Sequence, residues 1–375
     1  MPNATKVRVL IVDDSVVIRK ILSDTLSASA DPAIEVVGSA HDGRIALAKI
    51  PLCNPDLVTL DIEMPVMNGL ETLVEIRKLY PKLPVIMYST LTERGAAATL
   101  DALSLGASDY ATKPSNMGSP TAAIDRVREE LIPKIKALCT VEERPASAPG
   151  PAPPPREAHP KRSRRIDIVA IGTSTGGPNA LVEVFPTFPK NFPVPIVTVQ
   201  HMPPIFTRLL AERLSSHSQI PVDEARGGER LSAGHAWIAP GNFHMTVMRD
   251  KMEALLEINQ DPPEHSCRPA VDVLFRSVAA TYGSGTLAVV MTGMGSDGVE
   301  GAKQIRQAGG EVIIQDEASS VVWGMPGITY ASGLADAVYP LGQLGQEIVR
   351  RVLQSRAQAP ALQPSSYAVS ERNPV

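Results

Sequence analysis

The 375-residue chain is short of several things, and each shortage narrows the possibilities. It has only three cysteines, Cys53, Cys139 and Cys267, widely spaced and with no CxxC or Cys/His metal-ligand spacing. That excludes a disulfide framework and a zinc module, and fits a reducing compartment. No apolar run approaches the ~18–20 residues of a membrane helix. The apolar stretch Val7–Val12 is interrupted by Arg8 and runs into Asp13-Asp14, so it does not read as a signal peptide. The net charge is −4, with no basic excess to suggest nucleic acid or an anionic membrane as the main partner. Apolar residues make up 43% and charged residues 20%, close enough to globular averages to exclude wholesale disorder. These features predict a cytoplasmic, soluble protein with length for two or three domains.

Proline, by contrast, is abundant in one place. Between Pro145 and Pro160, seven of sixteen residues are proline and four are alanine, followed by Lys161-Arg162-Ser163-Arg164-Arg165. Such a segment cannot donate a regular set of backbone hydrogen bonds and favours extended polyproline II structure. The short basic run reads as a solvated linker end. The segment from about Gln354, with Pro360, Pro364 and Ser365-Ser366, reads as a disordered tail. The expected division is a first unit over 5–140, a linker over 141–165, a second unit over 166–353 and a tail over 354–375. In the first unit, apolar runs at Val7–Val12, Ile34–Ala40, Asp56–Leu60, Pro84–Ser89 and Asp109–Thr112 alternate with amphipathic stretches. That spacing predicts a five-stranded parallel sheet with helices on both faces. The second unit repeats the pattern less regularly: strands at Asp167–Gly172, Pro195–Gln200, His235–Ala239, Thr286–Thr292, Glu311–Gln315 and Ala337–Tyr339. The fold class is α/β, two doubly wound parallel-sheet domains, in which sites gather at the carboxyl ends of strands.

Five polar positions follow strands in the first unit: Asp13 and Asp14 after the first, Asp61 after the third, Ser89 after the fourth, Lys113 after the fifth. Any single aspartate there is adequately explained as a helix cap or turn residue. Three carboxylates converging at one sheet edge need a cation, and an all-oxygen set suits Mg²⁺. Lys113 adds a point charge and Ser89 a hydroxyl, a set able to support phosphoryl transfer to Asp61. Asp13-Asp14, Asp61 within DIEMPVMNG, Ser89 and Tyr110-Ala111-Thr112-Lys113-Pro114 resemble the receiver domain of two-component response regulators. The resemblance covers residues 6–138. It implies phosphorylation of Asp61 by a sensor histidine kinase, with Mg²⁺ held by Asp13, Asp14, Asp61 and the backbone carbonyl of Glu63. It also implies that Ser89 and Tyr110 reorient to report the phosphoryl group.

The first strand of the second unit ends in Gly172-Thr173-Ser174-Thr175-Gly176-Gly177-Pro178. A glycine-rich strand-to-helix turn serves as a phosphate cradle, as a seat for a nucleophilic serine, or as a purely structural turn. No GK[ST] follows, so this is not a P-loop. The next strand ends in Gln200-His201, which puts a base within reach of Ser174 in a doubly wound sheet, although an isolated strand-end histidine is more often structural. A later strand runs into Gly293-Met294-Gly295-Ser296-Asp297. Asp297 could fix the tautomer of His201, and equally could cap the helix starting near Val299. Asp272 is a second candidate for orienting His201, and His244, after the turn at Pro240–Phe243, could line the site; His217, His235 and His265 have no comparable setting.

GTSTGGP, VQHMP, IAPGNFH, RPAVDVLF and MTGMGSDG, in that order after a receiver and linker, are similar to the chemotaxis-specific protein-glutamate methylesterase family over nearly the whole chain. This resemblance implies Ser174 as nucleophile, His201 as general base and acid, and Asp297 as orienting carboxylate. It implies methyl-esterified glutamates of methyl-accepting chemotaxis receptors as substrate, and deamidation of receptor glutamines by the same acyl chemistry. Backbone N–H groups near Thr175 and Met294 are the expected oxyanion donors, and the unphosphorylated receiver is expected to mask Ser174. Ester hydrolysis itself calls for no cofactor. The chain departs from many relatives in having Cys267-Arg268-Pro269-Ala270 where they have His-Arg-Pro-Ser. Two other readings compete: a phosphorylation-controlled nucleotide-binding module, which lacks a ribose-binding acid after the second strand, and a DNA-binding regulator, which lacks a basic recognition helix.

Overall fold

The computed structural model describes residues 6–31, 33–113, 120–139, 165–251 and 253–357. Of the expected linker only Arg165 lies among them, and Pro114 lies outside them. The amino-terminal unit runs β1 (Val7–Val12), α1 (Val16–Ser27), β2 (Ile34–Ala40), α2 (Gly43–Cys53), β3 (Leu57–Asp61), α3 (Gly69–Leu79), β4 (Val85–Ser89), α4 (Glu93–Ser104) and β5 (Asp109–Thr112). It closes with α5 (Pro120–Arg126), which passes through a π-helical turn at Val127–Leu131 into α6 (Ile132–Cys139).

Local chemistry starts these helices where the sequence changes period. Ser15, Asp42 and Thr92 each accept a backbone N–H of the following turn, and Asn68 with Glu71 forms a reciprocal capping box at the start of α3. The strands pair in parallel in the order β2-β1-β3-β4-β5. β3, β4 and β5 are buried along their whole length, as expected for a parallel sheet covered on both faces.

The carboxyl-terminal unit begins with β6 (Ile168–Thr173), α7 (Gly177–Val184), β7 (Ile196–Gln200), α8 (Phe206–His217), β8 (Val222–Glu224) and β9 (Ala236–Ile238). A hairpin of β10 (His244–Asp250) and β11 (Glu253–Asn259) follows, then α9 (Val271–Tyr282), β12 (Thr286–Val290) and α10 (Val299–Gln307). β13 (Glu311–Gln315), α11 (Met325–Ala331), β14 (Ala337–Tyr339) and α12 (Leu341–Ala357) complete it. Seven strands form one parallel sheet ordered β14-β13-β12-β6-β7-β9-β8. The chain builds outward from β6 in both directions, first through β7 and later through β12, so a topological switch point flanks β6.

Short β8, the antiparallel hairpin, α11 and α12 were not anticipated from the sequence. The hairpin carries alternating apolar residues, but its turn lacks an Asn-Gly or Asp-Gly signal. Of the tail expected from residue 354, residues 354–357 belong to α12, which continues to Ala357 with Val352 fully buried, and the rest lies outside the described residues.

The two units share a hydrophobic cluster. Leu100, Leu103 and Tyr110 of the first are continuous with Phe206, Leu210 and Leu214 of the second. The Tyr110 and Phe206 rings stack with centroids 4.9 Å apart. Around this contact, Arg208 pairs with Glu93 at 2.7 Å, Arg213 with Asp101 at 2.9 Å, and Asn179 donates to the Leu103 carbonyl. Removing the α3 capping box by Asn68→Ala should cost about 1 kcal/mol. Urea unfolding followed through the Tyr fluorescence of the amino-terminal unit should show the corresponding earlier midpoint.

Candidate functional site

At the carboxyl edge of the five-stranded sheet, the switch point lies between β1 and β3. Asp13 and Asp61 meet there, and Lys113 bridges them with its Nζ 2.8 Å from a carboxylate oxygen of each. Asp14 joins them from an exposed position; one oxygen from each of the three carboxylates lies within 4.8 Å of the others. The cleft is lined by Asp14, Asp61, Glu63, Ser89, Thr90 and Lys113. Burial pushes the Asp61 carboxyl up to about 6, against the pull of Lys113 and with the help of Asp13. The Glu63 N–H leans on Asp61 at 3.4 Å. The Ser89 hydroxyl donates to the Gly95 carbonyl at 3.1 Å, and Tyr110 is buried against Phe206. The five expected positions therefore meet at one cleft, which Ser89 lines, while the other expected reporter, Tyr110, packs on Phe206.

A second cluster forms at the carboxyl edge of the seven-stranded sheet. Thr173 of β6 is in register with Gln200 of β7, so Ser174 and His201 are the next residues on adjacent strands. The Gln200 amide ties them together, donating 3.0 Å to the Ser174 carbonyl and 3.2 Å to that of His201. On the other flank of β6, Ser174 N–H donates to the Thr292 carbonyl just past β12. Two glycines make this close approach possible. Gly176 takes a φ of +78°, and a Cβ on Gly293 would lie 2.8 Å from that of Ser174. Among the described residues the Ser174 hydroxyl makes no hydrogen bond, and the backbone N–H groups of Thr175 and Met294 have no partner.

His201 Nε2 is 2.8 Å from Asp297 Oδ2. Asp297 is almost fully buried and also accepts the N–H of Val271 at 2.6 Å and of Asp272 at 2.8 Å. Its carboxylate thus closes the amino terminus of α9, while α10 begins at Gly298 without a side-chain cap. Capping and orienting are done by one group, but the helix capped is α9 and not the α10 that follows Asp297 in sequence. Burial raises the Asp297 carboxyl, yet His201 and the two N–H groups hold it below the ordinary carboxylate value. Burial likewise pushes the His201 imidazole down, and Asp297 with Cys267 more than offsets it, raising the imidazole to about 10.

The remaining candidates separate. Asp272 accepts from Gly301 N–H and pairs with His265 at 2.8 Å, so it serves His265 rather than His201. His244 is fully buried between the Pro262 carbonyl and Ala270 N–H, a structural histidine. His265, discounted from the sequence, lies 4.0 Å from Asp297 across Asp272's face of the cluster. Gln200 and Cys267 were missed as well. Gln200 was legible only as the residue before His201, and Cys267 only as a departure from relatives.

A hydrogen bond joins the two units at this edge: Thr175 Oγ1 donates 2.9 Å to Asp109 Oδ2 of β5, which Lys134 also approaches at 3.2 Å.

Comparison with known proteins covers most of the chain. A family model described as CheB methylesterase matches residues 169–348, and one described as response regulator receiver domain matches 9–125. A protein-glutamate methylesterase/protein-glutamine glutaminase of Trichodesmium erythraeum is 54% identical over 351 residues, covering 92% of this chain and 99% of that protein. The chain belongs to the CheB methylesterase family. A protein of the same description from a Nocardioides species is 50% identical over 372 residues, covering 96% of this chain and 98% of that one. The crystal structure of the Thermotoga maritima CheB methylesterase catalytic domain is similar at 43% identity, covering 49% of this chain and 98% of that domain, with a TM-score of 0.49.

The raised His201 imidazole has a testable sign. Histidine NMR should find His201 titrating above the ordinary value of 6.5, and Asp297→Asn should move the midpoint downward. Because the folded value is the higher one, the pairing stabilises the fold below pH 6.5 and the contribution is lost as pH rises through about 10. A His201 midpoint unchanged by Asp297→Asn would contradict the pairing.

Proposed function

We propose that the chain is a phosphorylation-activated protein-glutamate methylesterase, with protein-glutamine deamidase activity, acting in the cytoplasm on methyl-accepting chemotaxis receptors. Its family membership supports the reaction class, and one observation carries the residue roles: adjacent strands present Ser174 beside His201, whose far nitrogen is held by buried Asp297. Ser174 Oγ attacks the ester carbonyl while His201 Nδ1, the nitrogen not on Asp297, takes its proton. Asp297 stabilises the imidazolium so formed. Because only the neutral imidazole can accept the proton, the upward shift of that group limits turnover to a neutral fraction that grows as pH rises. The unpartnered N–H groups of Thr175 and Met294 are suited to receive the oxyanion, an interaction worth several kcal/mol when preorganised. His201 then returns the proton to departing methanol, and water, activated by the same imidazole, hydrolyses the acyl-enzyme. An amide leaving as ammonia follows the same path.

In the receiver cleft, Asp61 is the phosphoryl acceptor and a sensor histidine kinase the donor. The donor set fits a hard divalent cation: three carboxylate oxygens close together, with no sulfur or nitrogen ligand. Asp13, Asp14 and Asp61, with the Glu63 carbonyl, would hold Mg²⁺, which neutralises charge between carboxylates and phosphoryl oxygens. Lys113 remains to pair with the added phosphoryl group, and Ser89 to turn from Gly95 toward it. Tyr110 and α4 form the face packed on α8, so reorganisation around Ser89 and Tyr110 weakens that packing and the Asp109–Thr175 contact next to Ser174.

The test is methanol release from methylated receptor membranes with and without Mg²⁺ and a small phosphodonor. Ser174→Ala should abolish release while leaving Asp61 phosphorylation intact; normal hydrolysis by that variant would refute the nucleophile assignment. Asp61→Asn should keep basal release and lose stimulation. Reversing the interface charge opposite Asp101 by Arg213→Glu should raise release without phosphodonor several-fold, shrinking the stimulation that remains. A basal rate unaltered by Arg213→Glu would argue against masking through this face.

A further inference from the structure

The general base of the proposed mechanism has a second neighbour. Cys267 Sγ lies 3.6 Å from His201 Nδ1, the nitrogen opposite the one on Asp297. Cys267, His201 and Asp297 thus line up as thiol, imidazole and carboxylate, the order that activates a cysteine nucleophile. The thiol is held there by more than packing. Glu264 and Cys267 exchange both backbone hydrogen bonds across a tight turn whose middle residues, His265 and Ser266, take φ values of +51° and +60°. That turn is anchored on α9 twice, through Glu264 with Arg276 and through His265 with Asp272. Cys267 itself is half-buried, so solvent reaches it.

We propose that Cys267 is a modification site for soft electrophiles, activated by His201, and that its capture shuts off the esterase. In the step, the S–H proton passes to His201 Nδ1 and sulfur attacks the electrophilic carbon. A C–S bond forms while the carbon–halogen bond of an alkyl halide breaks, the halide leaving with the electron pair, and His201 releases the proton to water. The adduct then occupies the space beside Nδ1 through which the proton of Ser174 must pass. The other two thiols provide internal controls. Burial and the nearby Asp56 push Cys139 up to about 12, which leaves it protonated and inert near neutrality, and among the described residues no imidazole or cationic group hydrogen-bonds to the Cys53 sulfur.

The shut-off rests on His201 being the base for Ser174, but the reactivity of Cys267 does not, so the experiment reads the two separately. The full-length protein is treated with iodoacetamide near neutral pH, and each cysteine is followed by peptide mass spectrometry, in the wild type and in Ser174→Ala. Cys267 should label about tenfold or more faster than Cys53, in both proteins, as expected of a histidine-paired thiol. His201→Gln should bring Cys267 down to the Cys53 rate. Methanol release by the wild type should fall in step with Cys267 labelling, whereas treated Cys267→Ser should keep the rate it had before treatment. The proposal is overturned if Cys267 labels no faster than Cys53, or if fully labelled protein hydrolyses ester at its original rate.

Discussion

The buried carboxylate of Asp297 is the fixed point of the catalytic unit. An uncompensated charge at that depth would be prohibitively costly, and it is tolerated because three donors converge on it: two N–H groups at the start of α9 and the His201 imidazole. The three donors tie two separate pieces of chain to the same point. α9 is held against the loop after β12, His201 is held at the end of β7, and the tautomer of His201 is set. The turn bearing Cys267 and His265 is in turn anchored to α9, so its position depends on the same arrangement. Satisfying one buried charge therefore organises most of the site.

The receiver solves a related problem in a different way. Asp13 and Asp61 are both buried and face one another, and a single ammonium, Lys113, lies between them. One positive charge against two carboxylates leaves the cleft short of cation, which is why burial still lifts Asp61 despite Lys113. A divalent cation and a phosphoryl group would change that balance sharply. The face that would respond is already committed elsewhere: Tyr110 stacks on Phe206, and Asp109 on the same strand accepts from Thr175. The two clefts are thus linked through β5, whose first two residues, Asp109 and Tyr110, both reach the neighbouring unit.

This linkage is built from weak and strong parts. The ion pairs of Arg208 and Arg213 are partly solvated and contribute little individually. The apolar cluster around Tyr110 and Phe206 holds the units together, and the ion pairs set the register. The Asp109–Thr175 bond contributes position more than energy, because it bears on the residue beside the serine.

Much was legible in the sequence because parallel α/β sheets put function at predictable places. The five strands of the first unit and most of those in the second stand out as short apolar runs, and the candidate residues lie at or just after their carboxyl ends. Asp13, Asp61, Ser89, Lys113, Ser174 and His201 all sit at such positions, so strand assignment alone grouped them. Local alternation could not reveal what depends on packing between distant segments. Asp297 read equally well as a cap for the helix that follows it, and only the fold shows it closing α9, about 25 residues earlier in the chain. The settings of His265 and Cys267 were not legible, since their neighbours are decided by a turn and a helix brought together in three dimensions. The packing of Tyr110 on Phe206 is of the same kind. Periodicity fixes which face of an element is apolar, but not which other element will cover it.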